Sequence, residues 1–312
     1  DPTDDRSNCG VGVVMDLDGE SDRWVVEDGL ELLENLEHRG TTGAEQDTGD
    51  GAGIMFQIPH DFFADEVDAD LGSPGEYAVD EVTVNKSVTI RGAGAATRVR
   101  GDGNGSVLHV NASRVAVTDL RISGVGSVGS PDRSANASSD WSTSVELAYG
   151  RGDAAIRLDG ADGALVENVA IDTPASGIIT RAADGAVVRN VTLRGAATPD
   201  EGFMGVVAMY APVVVENSSF DGGRDAVYTH RAHGTVVRNN EMTNARFGVH
   251  LMYTSRTLVA NNEIRNESVG VVIMTRPAGN LVVGNHVSGA RTGISTVGSD
   301  SYYAENVLTE NE

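Results

Sequence analysis

Cysteine and lysine are almost absent: Cys9 is the only thiol and Lys86 the only lysine in 312 residues. A single cysteine excludes internal disulfides, zinc-finger spacing and a cysteine-ligated iron–sulfur cluster. Positive charge is short as well, with 23 basic side chains against 46 acidic ones and a net charge of −23. Such a surface repels nucleic acid and anionic membranes, so polyanionic partners are not expected. An acidic excess with so little lysine points to a halophilic, salt-adapted setting. No apolar run reaches the roughly 18 residues that a transmembrane helix needs. The chain opens on acidic residues, which gives no secretory signal pattern. It therefore reads either as cytoplasmic or as lacking its native start.

What is present divides near residue 70. Before that point Trp24, Val25, Leu30, Leu32, Leu33 and Leu36 recur at mostly helical spacing, which predicts a helix over residues 24–37. Apolar runs at 10–14 and 54–58 predict two buried strands around it. After that point short β-branched runs alternate with Gly, Asn and Asp turns to the end of the chain. The domains are accordingly 1–70, a small α+β piece, and 71–312, an all-β piece.

The second piece repeats, and the repeat fixes the fold class. Coils of about 22 residues begin at a small residue: Ala155, Gly177, Gly205, Ala226, Gly248, Gly270 and Gly293. The next residue is always apolar: Ile156, Ile178, Val206, Val227, Val249, Val271 and Ile294. Two places further come Leu158, Thr180, Ala208, Thr229, Leu251, Ile273 and Thr296. Strand side chains alternate, so both columns point inward together. Asparagines recur at Asn168, Asn190, Asn240, Asn262, Asn285 and Asn306, as expected of amides stacked at a tight corner. A leucine-rich repeat would need leucine columns and a helical segment in each coil. Neither exists, so the expected fold is a parallel β-helix, right-handed by the usual crossover rule. Residues 123–153 and 196–202 break the period and read as loops.

The outward positions carry the chemistry. The fourth place after the small residue reads Asp159, Arg181, Met209, His230, Met252, Met274, Val297, and the second place adds Tyr228 and His250. Coils stack about 4.8 Å apart, so neighbours in a column can share one ion. Thioether and imidazole donors suit soft Cu(I) rather than calcium or magnesium. Met209, His230, His250, Met252 and Met274 are thus expected to form one exposed metal-binding patch. The plainer alternative is an apolar stripe, since methionine also fills irregular contacts. Met242 aligns with Ile264 and Val287 and is expected in the core. Glu241 and Glu263, with His286 next in their column, give a second candidate site. Two carboxylates about 5 Å apart on adjacent coils would suit a glycan-cleaving enzyme, so the alternative is a glycan-binding or glycan-cleaving β-helix protein.

The segments PGEYAVDEVTVNKSVTIRGAG (residues 74–94) and RFGVHLMYTS (residues 246–255) resemble the CASH-type β-helices and, among them, the NosD family. That resemblance implies a non-catalytic periplasmic or cell-surface protein that helps mature the copper site of nitrous oxide reductase beside an ABC transporter. The solenoid stops at Glu312 with no evident cap and reads as incomplete.

CGVG (9–12), LENLEHRGTTGAE (33–45), TGDGAGI (48–54) and QIPHDFF (57–63) resemble the start of the glutamate synthase large chain, a class II glutamine amidotransferase domain. The resemblance implies Cys9 as an N-terminal nucleophile once a leader of residues 1–8 is removed, and Arg39 as a holder of the glutamine carboxylate. It ends near Val67, without the strands that supply an oxyanion hole. Cys9 is therefore expected to be an inert thiol, and His38 and His60 to be structural. The whole reads as a β-helix fused to a non-functional glutamate synthase fragment.

Overall fold

The computed structural model describes residues 14, 23–35, 76–126, 152–196 and 204–312. The chain divides into two compact units, Asp1–Asp70 and Leu71–Glu312. Of the first, a helix over Arg23–Asn35 is described, close to the span that the leucine spacing predicts. The strands expected at 10–14 and 54–58, and Cys9, His38, Arg39 and His60, lie outside the described residues.

The second unit is a parallel β-solenoid with twenty-six strands and no helix among its described residues. One face is a nine-stranded parallel sheet made of one strand per coil. Its strands include Ala154–Asp159, Ser176–Arg181, Met204–Met209, Asp225–His230, Phe247–Met252, Val269–Met274 and Thr292–Thr296. The remaining strands form a seventeen-stranded parallel sheet in two rows. The eight-residue strands Ala116–Ser123 and Leu165–Asp172 bridge both rows, whereas later coils break there into two short strands.

The register is the one read from the repeat. Ile156, Ile178, Val206, Val227, Val249, Val271 and Ile294 stand side by side across seven coils. The first six are fully buried, as are Ala208, Thr229, Leu251 and Ile273 in the companion inward column. Each such aliphatic side chain contributes about 1.5–3 kcal/mol by leaving water. Met242 is also fully buried and pairs with Ile264, in the core as expected. The small-residue column has a steric cause. A Cβ on Gly270 would lie 2.4 Å from Val287 Cγ1 and 2.6 Å from the Gly293 carbonyl oxygen.

The asparagines form two columns rather than one. Asn240, Asn262 and Asn285 are buried, and each passes a side-chain amide bond to the next, ending on Asn306. Asn168 and Asn190 lie one residue earlier in the coil, in register with Asn217, Asn239 and Asn261. All five have positive φ, between 51° and 56°. These turn the corner in the left-handed conformation, which asparagine tolerates better than most residues. The expectation of a single six-membered stack is corrected accordingly. Ser218 takes the ladder position one coil before Asn240, and its amide donates to Asn240 Oδ1 at 3.0 Å.

Candidate functional site

The outer side of the nine-stranded sheet brings the five metal-ligand candidates together. Met209 pairs with His230, His230 with Met252, and Met252 with Met274, on four consecutive strands. Beside this column Val207, Tyr228, His250 and Val272 form a second one. Strand alternation sets both columns opposite the buried aliphatic ones.

One expectation is overturned: the patch is not exposed. Met209 and His230 are 0% exposed, His250 3% and Met252 6%, and only Met274 is half-buried. Ala154, Ile179, Met204, Val207, Met209, Tyr228 and Met252 form a second apolar cluster, separate from the solenoid interior. Alternation settles which side of a sheet a residue faces, but not whether that side meets water.

The two histidines are held differently. His230 packs edge-on to Tyr210 and Tyr253, with ring centroids 6.0 and 5.5 Å away, and its Nδ1 lies 3.5 Å from the Tyr228 hydroxyl. His250 Nδ1 donates to Asp225 Oδ2 at 2.9 Å, and both side chains are buried. His250 Nε2 is buried with no hydrogen-bond partner. Asp225 and Glu267 did not stand out in the sequence, because a buried carboxylate looks like any other in so acidic a chain. Glu267 is 3% exposed. Burial pushes its carboxyl up to about 8; the Ala245 amide opposes this, and the nearby Asp225 and Asp221 charges reinforce it.

Beside the column, Thr275 adopts φ 74°, an uncommon conformation for a β-branched residue. Its hydroxyl accepts the Tyr253 N–H at 2.7 Å and lies 3.8 Å from Met252 Sδ. The same corner is left-handed in the preceding coils, at Ala182, Tyr210, Arg231 and Tyr253, so it is a turn of the solenoid and not a mark of function. The donor set fits a soft ion: thioethers and imidazoles, with one buried ring nitrogen unmet. Among the described residues no group of three His, Cys, Asp or Glu is placed to hold a metal, so a hard-cation site is not found there.

The alternative site is assembled in register but is differently engaged. Glu241 pairs with Glu263 and Glu263 with His286. Arg265 bonds Glu241 at 2.7 Å and Glu263 at 3.2 Å, while His286 lies 2.9 Å from Glu263. Both carboxylates are committed to neighbours on an open surface.

The coil geometry and the buried inward columns define a parallel β-solenoid. The chain belongs to the right-handed β-helix family, whose model matches residues 154–311. A structure of a mutant periplasmic alginate epimerase, AlgG, has a similar fold, with a TM-score of 0.53 at 14% identity over 77% of this chain and 58% of that one. At that identity the likeness concerns fold alone. The class II glutamine amidotransferase model matches residues 9–91. Over 66 residues the chain is 47% identical to the glutamate synthase [NADPH] large chain of Azospirillum brasilense. Over 59 residues it is 49% identical to ferredoxin-dependent glutamate synthase 1 of Arabidopsis thaliana. The chain spans 4% of the length of each of these relatives. Among the described residues no helix is long and apolar enough to cross a membrane.

Proposed function

We propose that the β-helix unit binds Cu(I) through the Met209–His230–Met252–Met274 column together with His250. The observation that carries this reading is the in-register stack of thioethers and imidazoles on four adjacent coils, in a largely buried apolar setting. Such donors prefer a soft, monovalent ion, and low water access disfavours its oxidation and loss. Copper here is cargo rather than a resident catalyst. By the resemblance to the NosD family, the unit acts outside the cytoplasm with an ABC transporter and serves nitrous oxide reductase maturation. The second reading is a glycan-binding or glycan-cleaving role, for which Glu241, Glu263 and His286 stand in register on adjacent coils.

The test is an anaerobic Cu(I) titration against a competing chelator. It uses the Cys9→Ser chain, which removes the one competing thiol. Met252 has a donor on either side of it in the column, His230 and Met274. Met252→Ala should weaken binding by about tenfold or more, equivalent to about 1.4 kcal/mol. Met242→Leu, a core change of similar volume, should leave affinity unchanged and cost less than about 1.5 kcal/mol of stability. Equal affinities for the Met252→Ala and parent chains would leave the column as packing surface.

A further inference from the structure

We propose that Asp225 is a positioning residue that holds the His250 imidazole as its Nδ1–H tautomer, making Nε2 the donor atom presented to a metal. The inference rests on the Cu(I) reading for its consequence, but not for its geometry. Asp225 opens the strand Asp225–His230, and His250 lies on the next coil in Phe247–Met252. Register sets Asp225 beside Phe247 and Tyr228 beside His250, so the carboxylate reaches diagonally across the coil step. Its Oδ2 lies 2.9 Å from Nδ1, with the two side chains 0% and 4% exposed. A carboxylate oxygen accepts, so Nδ1 is the donor and carries the proton. On its other oxygen, Asp225 has Arg224 at 3.7 Å, an ion-pair distance too long for a hydrogen bond.

The ring cannot readily turn away. Tyr228 and Phe247 stand edge-on to it, each with its ring centroid 5.0 Å away. With the proton on Nδ1, Nε2 keeps its lone pair. It is buried and meets no hydrogen-bond donor. A buried polar atom left unmet is uncommon in native folds and calls for an explanation. Metal-binding imidazoles characteristically donate their second ring N–H to a carboxylate, which fixes both tautomer and orientation. Asp225–His250 has that arrangement, and His250 shares its strand with Met252.

The test has two readouts. Long-range 15N–1H NMR of the histidine-labelled full chain at pH 8 should show His250 protonated on Nδ1 alone. Asp225→Ala should move the proton to Nε2 and weaken Cu(I) binding by about 10- to 100-fold. Asp225→Asn keeps an acceptor oxygen and should restore both the tautomer and most of the affinity. A wild-type His250 carrying its proton on Nε2, or on both nitrogens, overturns the inference whatever copper does. The Nδ1–H tautomer in a wild-type chain that binds no Cu(I) overturns the copper reading instead and leaves the positioning assignment standing.

Discussion

Asn262→Ala is expected to destabilise the solenoid by about 2–6 kcal/mol, because it leaves buried polar groups of the preceding coil unmet. Asn262 Oδ1 accepts the Asn240 backbone N–H at 3.0 Å and the Asn240 side-chain amide at 3.0 Å. Its Nδ2 donates to the Val237 carbonyl at 3.0 Å and to Asn285 Oδ1 at 2.9 Å. The side chain is 1% exposed, so water does not readily replace what is lost. Each buried donor or acceptor left without a partner costs about 1–3 kcal/mol, and at least two are orphaned here. Asn190→Gly is the contrasting change. Asn190 turns a corner at φ 53° outside the ladder, a conformation that glycine adopts freely. Its cost should stay within about 1 kcal/mol. Chemical denaturation of the two variants should separate these outcomes by their midpoints. Similar losses for both would mean that the amide ladder does not carry the special weight assigned to it.

Glu267→Gln is expected to flatten the pH dependence of stability. The native carboxyl is pushed up to about 8 from an ordinary value of 4.5, first by burial. Between those limits the folded chain keeps a proton that the unfolded chain has released. Stability therefore falls as pH rises through that window, by up to about 1.4 kcal/mol per pH unit, and levels off above the native value. Below the unfolded value both states hold the proton and the penalty vanishes. Glutamine has no proton to lose. Between pH 5 and 7.5 the wild type should therefore lose about 3 kcal/mol more than the variant does. Denaturant unfolding of both proteins at the two pH values supplies the comparison. Parallel pH dependences would show that Glu267 ionises in the folded state much as it does in water.

Much of the solenoid was legible because its period writes the same environment at the same place in every coil. Val206, Val227, Val249 and Val271 had to share a face once the repeat length was known, and the register places them together. The asparagine columns were harder. A ladder residue and a left-handed corner residue are neighbours in sequence and both favour asparagine. Asn190 and Asn240 could therefore not be told apart by spacing that drifts by a residue between coils. The metal candidates were placed correctly in their columns, since alternation decides which side of a sheet a residue faces. Their burial was not legible, because it depends on what covers that side. The Asp225–His250 pair was invisible for a related reason. It is a diagonal contact between coils, and the carboxylate sits at a position where other coils carry Met204, Phe247 and Val269.

In the proposed site, thioether sulfur and imidazole nitrogen from this one face hold Cu(I). X-ray absorption at the copper edge, on the anaerobically loaded Cys9→Ser chain, reads those donor atoms directly. The expected spectrum is Cu(I) with sulfur and nitrogen in the first shell, with the sulfur contribution reduced in Met252→Ala and the imidazole contribution reduced in His250→Ala. A first shell of oxygen or nitrogen alone, identical in the parent and Met252→Ala chains, would contradict it.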